Sequence, residues 1–304
     1  MKELKFDLNV ETNALLCPNP QEFYAKAYIT PMVAENFRAL PGIKTATKLA
    51  NVVFDALLKP SGCDFTASNS DLDAIDINVC PLSAMAEVCQ FDIEQSFLSM
   101  QMAGGSNGNW NVVSFMAYYW EQMSATIGEE IELIRWQGDT TSLDPILALC
   151  DGHLKKLLAD ATVVDVANTP STVANVIAEL TKVVQAMPAV IKGKKSDLRL
   201  YVSSNIAQNY EIAAATGNTQ AYVTEALALK FIGITMVACE GLPADTAVLT
   251  LKNNLIYAFD AEGDSKALKA VNLEDSVAEP KLRTRANLKV GFFHTNGAEI
   301  VLYS

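Results

Sequence analysis

Side chains able to do chemistry are few in this chain, and they are scattered. Two histidines occur, His153 and His294. His153 follows Asp151-Gly152 beside a helical stretch, and His294 lies close to Asn296-Gly297. Acyl transfer needs a base beside a Ser or Cys nucleophile, and no G-x-S-x-G elbow accompanies either one. Both read as packing or surface residues. Gly104-Gly105-Ser106-Asn107-Gly108 precedes a helix as a phosphate cradle would, but it has neither G-x-G-x-x-G nor G-x-x-x-x-G-K-S/T spacing. Gly193-Lys194-Lys195-Ser196 imitates the end of a phosphate loop, yet Pro188 stands where the earlier glycine belongs. It reads as a connector. Glu129, Glu130 and Glu132 form one carboxylate cluster, and Asp71, Asp73 and Asp76 another. Without a calcium-loop pattern both read as solvated faces. No catalytic residue, metal or cofactor is expected.

The six cysteines, Cys17, Cys63, Cys80, Cys89, Cys150 and Cys239, include no C-x-x-C pair. The residues read as small buried hydrophobes in a reducing compartment. Bases gather in two places, Lys192, Lys194, Lys195 and Arg199, and then Lys281, Arg283, Arg285 and Lys289. Neither group is interleaved with aromatics as in single-strand binders, so each reads as a subunit contact or a solvated edge.

The elements that position these residues follow from pattern. Cys17-Pro18-Asn19-Pro20 and Pro31 interrupt residues 1–40, which read as an arm. Val52-Val53-Phe54 and the alternation Ile75, Ile77, Val79 predict two strands of a long hairpin with a polar tip between Pro41 and Pro81. A helical pattern opens at Pro81, through Met85, Val88, Cys89, Ile93, Phe97 and Met100. The longest periodic signal is Val113, Met116, Trp120, Met123, Ile127, Ile131 and Ile134, a helix that Gly128 ends or kinks. Helices are then expected over Ile146–Leu158, from Pro170 to Pro188, and over Ile206–Thr216. Strands are expected at Val163–Val166, Leu198–Ser203, Leu227–Val237, Leu288–Phe293 and Ile300–Tyr303, the last two around an Asn296-Gly297 turn.

Composition limits what such elements build. Of 304 residues, 50% are hydrophobic and 19% charged, with 35 acids against 23 bases and a net charge of −12. That is too apolar for disorder and too acidic for affinity built on neutralising phosphates. The longest apolar run, Phe231–Cys239, is far short of the roughly 20 residues that span a bilayer. Acids follow Met1-Lys2 at once, so no secretory signal is expected. A large core, protruding elements and little chemistry point to a structural assembly protein, because a long hairpin would leave unpaired strand edges on a lone monomer.

A series of short motifs carries a resemblance. In chain order they are Trp136-Gln137-Gly138-Asp139, Asp151-Gly152, Met187-Pro188, Leu200-Tyr201-Val202-Ser203 with Tyr210, Phe231-Ile232-Gly233-Ile234, Leu242-Pro243, Asn253-Asn254-Leu255, and Gly291-Phe292-Phe293 leading to Glu299-Ile300-Val301-Leu302-Tyr303. In this order the chain resembles the major capsid proteins of tailed phages. The resemblance implies an α+β, HK97-like capsid fold. Its parts would be an N-terminal arm at 1–40, an extended E-loop hairpin at 41–81, a peripheral domain at 82–139 and 261–304 with a spine helix at 110–134, and a mixed α/β axial domain at 140–260. It implies structural roles for Trp120, Gly138, Asp139, Tyr201, Phe231, Gly233, Pro243 and Asn254. Contacts between subunits are expected at Lys44, Lys48, Lys59, Asp64, Asp71, Asp73, Arg283 and Arg285.

The implied function is a self-assembling icosahedral shell of hexamers and pentamers around double-stranded DNA, built in the host cytoplasm and ending as the virion capsid. It would bind the genome little and no membrane; portal and decoration proteins are possible partners, and scaffolding would be a separate protein or absent. No charged scaffolding segment precedes the arm, which departs from many family members, and none of Lys44, Lys48 or Lys59 aligns with a crosslinking position. An encapsulin-like nanocompartment shell is the alternative, and a soluble α/β enzyme a third reading.

Overall fold

The structure, a computed structural model, describes residues 20–28, 35–44, 46–54, 58, 70–89, 112–217, 229–260, 268–273, 279 and 281–304. Its backbone is organised by one strand. β12 (Lys281–His294) buries Leu282, Thr284, Ala286, Leu288 and Val290 on one face and exposes Arg283, Arg285 and Asn287 on the other. This is the period-2 pattern of a half-covered strand. β12 is long enough to serve several partners. β4 (Cys80–Cys89) runs antiparallel along one edge, from Cys80↔Val290 to Cys89↔Lys281. The other edge takes β11 (Leu268–Asn272) and then β10 (Leu255–Phe259), and β1 (Arg38–Pro41) adds in parallel to β10.

β4 corrects the helix expected from Pro81, over residues 81–89; Ile93, Phe97 and Met100 lie outside the described residues. Met85, Val88 and Cys89 mimic a helical step, but the inward row is Leu82, Ala84, Ala86 and Val88. Two alanines make that row a weak strand signal, and pairing with a strand about 200 residues away overrides it.

The long helix is α2 (Val112–Gln137), 26 residues, or about 39 Å. It runs straight through Gly128. Met116, Trp120, Ile127, Ile131 and Ile134 are buried along one stripe, and at the far end Arg135 and Trp136 are buried as well. α1 (Pro20–Tyr28) crosses it, with Phe23 edge-on to Trp120 at 5.3 Å. Tyr24 then donates a hydrogen bond to the Asn287 carbonyl, and the Tyr28 hydroxyl accepts one from Lys289 N–H. Three rings of α1 thus tie the long helix to the sheet.

A second sheet has the order β5-β13-β9-β6-β8-β7. Its strands are β5 (Val164–Val166), β6 (Leu198–Ser203), β7 (Lys230–Phe231), β8 (Ile234–Cys239), β9 (Ala247–Leu251) and β13 (Val301–Tyr303). Nearly all of β6 is buried. Leu198, Leu200 and Val202 face a core with Val176, Leu180 and Val183 of α4 (Val176–Gln185) and Ile206 of α5 (Ser204–Gly217). Tyr201 faces the other core, with Trp136 and Phe37.

Several expectations are corrected here. The described part of the expected strand 227–237 is a hairpin, because Ile232 and Gly233 both take positive φ, 49° and 80°, as a two-residue turn between β7 and β8 requires. The expected helix 146–158 is a 3-10 turn (Leu147–Leu149) followed by α3 (His153–Ala159). The chain breaks at Asp151-Gly152, where the Gly138 carbonyl accepts the Gly152 N–H. The helix expected from Pro170 starts at Val176 instead. Asn296-Gly297 is not a hairpin turn: Gly297–Glu299 is 3-10, and it carries the chain from the first sheet to the second.

The cysteines also depart from expectation. Cys80 and Cys150 form a disulfide across 70 residues of sequence. The β4–β12 register sets Cys80 opposite Val290, and Cys150 Sγ lies 3.8 Å from the Val290 carbonyl. Cys89 and Cys239 are the described cysteines outside this disulfide.

β2 (Thr47–Phe54) and β3 (Ser70–Ile77) form the two strands expected between 41 and 81. They pair with each other in register Thr47↔Ile77 to Phe54↔Ser70, and with no other strand among the described residues. Their root is held by Ile77, buried against Ile256, Ala258 and Phe293.

Candidate assembly surface

The outer face of β4, β12 and β11 carries two cross-strand rows. One is Met85, Arg285 and Lys269; the next is Glu87, Arg283 and Val271. With Ala86 and Thr284 these residues line an open groove of about 430 Å³. Met85 is 71% exposed and Val271 44%, so apolar posts stand on either side of a cationic centre. Arg283 donates to Glu87 at 2.6 Å, and the Lys281 ammonium sits 3.0 Å from the other Glu87 oxygen. These two hydrogen bonds hold the Glu87 carboxyl below its usual range. Arg285 donates to Ser83 at 3.1 Å and to Asn287 at 3.0 Å. Four cations, Lys269, Lys281, Arg283 and Arg285, face two acids, Glu87 and, 3.9 Å from Lys281, Glu279. The groove thus carries net positive charge between two exposed apolar side chains.

The other residues expected at contacts are dispersed. Lys44 is exposed, and its carbonyl accepts from the Lys289 ammonium at 3.0 Å. Lys48 pairs with Asp76 at 3.5 Å. Asp73 stands opposite Asn51 and Asp71 opposite Val53 on the hairpin. Lys59 and Asp64 lie outside the described residues, as does the Gly104–Gly108 stretch.

The residues given structural roles sit at crossings. Trp120 is buried under α1. A Cβ on Gly138 would overlap the carbonyl oxygens of Cys150 and Ile134, so only glycine lets these segments meet. Asp139 accepts from the Thr141 backbone and hydroxyl at 2.8 and 2.7 Å and pairs with Lys155 at 2.8 Å. The Lys155 and Thr141 hydrogen bonds hold its carboxyl down at about 2. Tyr201 donates to the Asn36 carbonyl at 2.9 Å. Phe231 meets Tyr210 edge-on at 5.7 Å, and Gly233 makes the tight turn. Half-buried Pro243 lies in the turn between β8 and β9. Asn254 joins two loops: its amide donates to the Thr250 hydroxyl and the Asn296 carbonyl, and its oxygen accepts from the N–H groups of Thr295 and Asn296.

One buried centre has no counterpart in the sequence reading. Arg135 is ion-paired with Glu132 and lies between the rings of Tyr257 and Phe37, 4.9 and 5.3 Å away. Trp136 donates to the same carboxylate at 3.0 Å. Glu132 is thus a half-buried acceptor for two residues, which corrects its assignment to a solvated face. The available signal was its spacing, three residues before Arg135 and four before Trp136, on one helix face.

Neither histidine is paired with a nucleophile. His153 is fully buried among Phe37, Trp136 and Phe292, and neither ring nitrogen has a hydrogen-bond partner among the described residues. Burial, reinforced by Arg135, pushes its pKa well below the usual histidine value. His294 Nε2 lies 2.8 Å from Asp160, and its other nitrogen has no partner among the described residues. Among the described residues no cluster of His, Cys, Asp and Glu is placed to hold a metal ion, and no helix is long and apolar enough to cross a membrane.

No protein-family model matches the sequence, and no curated protein matches it. Solved structures do match the fold over nearly the whole chain. A chain of the satellite phage P4 procapsid, a particle that includes the size determination (Sid) protein, superposes with a TM-score of 0.57 at 12% identity, covering 90% of this chain and 96% of that one. A capsid chain of the native GTA particle gives 0.54 at 13% identity, covering 97% and 96%. A virus-like particle from Pyrococcus furiosus gives 0.51 at 8% identity, covering 98% and 100%. At these identities the shared property is the fold, and by that measure the chain has the fold of phage capsid proteins.

Proposed function

We propose that this chain is the major capsid protein of a tailed double-stranded DNA phage, a subunit that closes into an icosahedral shell of hexamers and pentamers around the genome. The observation that carries the reading is the β2–β3 hairpin. It pairs with no other strand among the described residues of its own chain, within a fold shared almost end to end with capsid chains. A two-stranded ribbon is marginal alone, so it gains from lying on a neighbouring copy. In this reading residues 41–81 are the E-loop and α2 is the spine helix. Residues 82–139 and 261–304 form the peripheral domain and 140–260 the axial domain. Assembly takes place in the host cytoplasm, with scaffolding either a separate protein or absent, and the product is the virion capsid. The work is done by geometry: many modest contacts, repeated by symmetry, sum to a closed particle.

The net charge of −12 fits a subunit that does not adhere to packaged DNA. It also gives the cationic face of β4, β12 and β11 an acidic surface to meet on a neighbouring copy. The match to the virus-like particle favours a second reading, an encapsulin-like compartment with protein cargo. One experiment separates these. The native particle is purified by size exclusion with absorbance at 260 and 280 nm, and then imaged. A DNA-filled shell is expected, a shell with protein cargo would support the second reading, and a small oligomer would overturn both. Deleting residues 61–70 is expected to prevent or misdirect assembly while leaving the subunit folded, and normal shells from that deletion would refute the bridging role.

A further inference from the structure

Cys80 and Cys150 are brought within bonding range by parts of the fold that hold each one without the other. Cys80 is the terminal residue of the 10-residue β4 ladder on β12. Cys150 lies in the tight crossing where Gly138 N–H donates to the Ile134 carbonyl and Gly152 N–H to the Gly138 carbonyl. The Cα atoms stand 5.8 Å apart, inside the normal disulfide range. The reduced chain therefore folds to the same arrangement, and the bond adds a constraint rather than a new geometry.

What the constraint acts on follows from position. Only Asn78 and Val79 separate the end of β3 from Cys80. A load on the β2–β3 hairpin that exceeds the hold of buried Ile77 thus reaches β4 at the Cys80↔Val290 pair. An antiparallel ladder loaded at its end opens one pair at a time. With the bond closed, that first pair is fixed covalently to the rigid crossing beneath it, and opening cannot begin.

We propose that Cys80–Cys150 is a redox latch on the root of the hairpin. As the dithiol it lets the Cys80 end of β4 open and the hairpin swing; as the disulfide it fixes both. The oxidant is a small-molecule disulfide such as oxidised glutathione. Cys80, the less buried of the two, attacks it as the thiolate and releases one small thiol, forming a mixed disulfide. The buried Cys150 then attacks the Cys80 sulfur and releases the second small thiol, which carries the other proton. Two protein thiols and one small disulfide become one protein disulfide and two small thiols. This goes beyond the shell reading, because it holds for the free subunit.

The test uses the full-length chain, purified under reductant and then divided between dithiothreitol and oxidised glutathione. Differential alkylation with peptide mapping is expected to show Cys80 and Cys150 losing reactivity together while Cys239 remains a thiol. Amide exchange of a peptide covering residues 80–89 is expected to slow at least tenfold on oxidation and to recover on reduction, with β6 unchanged. Cys80→Ser is expected to exchange like the reduced wild type in both buffers. If that variant does not fold, the comparison of the two wild-type states still decides. Failure of the pair to form in the folded chain, or equal exchange of 80–89 in the two states, would overturn the latch.

Discussion

The guanidinium carbon of Arg135 lies 4.9 Å from the ring centre of Tyr257, a cation set against an aromatic face with both residues buried. Its counter-charge is Glu132, one turn back on the same helix. Glu132→Ala leaves that cation buried without a partner and is expected to cost about 3–5 kcal/mol. Arg135→Met keeps the bulk between the rings and leaves a carboxylate that still reaches solvent, so the expected loss is about 1–3 kcal/mol. Urea midpoints of the unassembled subunit check the order. Equal losses would mean that the buried charge is not what the pair protects.

His153 makes stability depend on pH. Its pKa in the folded chain is depressed below the unfolded value by burial first and then by the neighbouring Arg135 and Lys156. As pH falls through about 6.5, the unfolded chain takes up a proton that the folded chain refuses. Stability is therefore complete above that pH and falls below it, by up to about 1.4 kcal/mol per pH unit. His153→Phe is expected to remove this slope between pH 6.5 and 5, above the range where carboxylates titrate. Melting curves of both chains across that window measure the difference, and parallel slopes would count against the assignment.

Two glycines should behave in opposite ways. At Gly138 an added methyl has no room between the Cys150 and Ile134 carbonyls, whereas nothing lies within 4 Å of one added at Gly193. Gly138→Ala is expected to lose about 3 kcal/mol, and Gly193→Ala to stay within about 0.5 kcal/mol. Thermal unfolding of the two variants is sufficient.

The β7–β8 turn holds a β-branched residue in a conformation that disfavours it. Ile232 has φ 49° and is 51% exposed. Ile232→Asn supplies the residue that this turn prefers and is expected to raise stability by about 1 kcal/mol. A lower melting temperature would show that the isoleucine side chain makes a contact worth more than the strain.

The sequence made some of this visible and hid the rest for physical reasons. The stripe from Met116 to Ile134 repeats over many turns of one helix, so its periodicity survives any tertiary context. Leu200-Tyr201-Val202, buried on both faces, reads as a short apolar run despite Arg199 beside it. β4 was hidden because Ala84 and Ala86 fill an inward row without declaring it, and the strand that pairs with it comes about 200 residues later. The disulfide was hidden for the same reason, since Cys80 and Cys150 are neighbours only once β4 has found β12. The cationic face was half legible: Arg283 and Arg285 alternate with buried residues and so had to point outward. Met85, Glu87 and Val271, which complete the groove, come from two other strands. The centre at Arg135 was missed because an arginine beside Glu132 on a long helix looks like an ordinary surface pair, and only the rings of Phe37 and Tyr257, from opposite ends of the chain, enclose it.

β12 also sets a schedule for biosynthesis. β4, β10 and β11 all pair along a strand that begins at Lys281. Until that segment leaves the ribosome these three wait without their central partner, and the inward row of β4 stays uncovered. A translation product stopped before Lys281 can make helices but not the first sheet. It offers unpaired edges to chaperones and proteases, so faulty fragments are sorted from finished subunits by the fold itself.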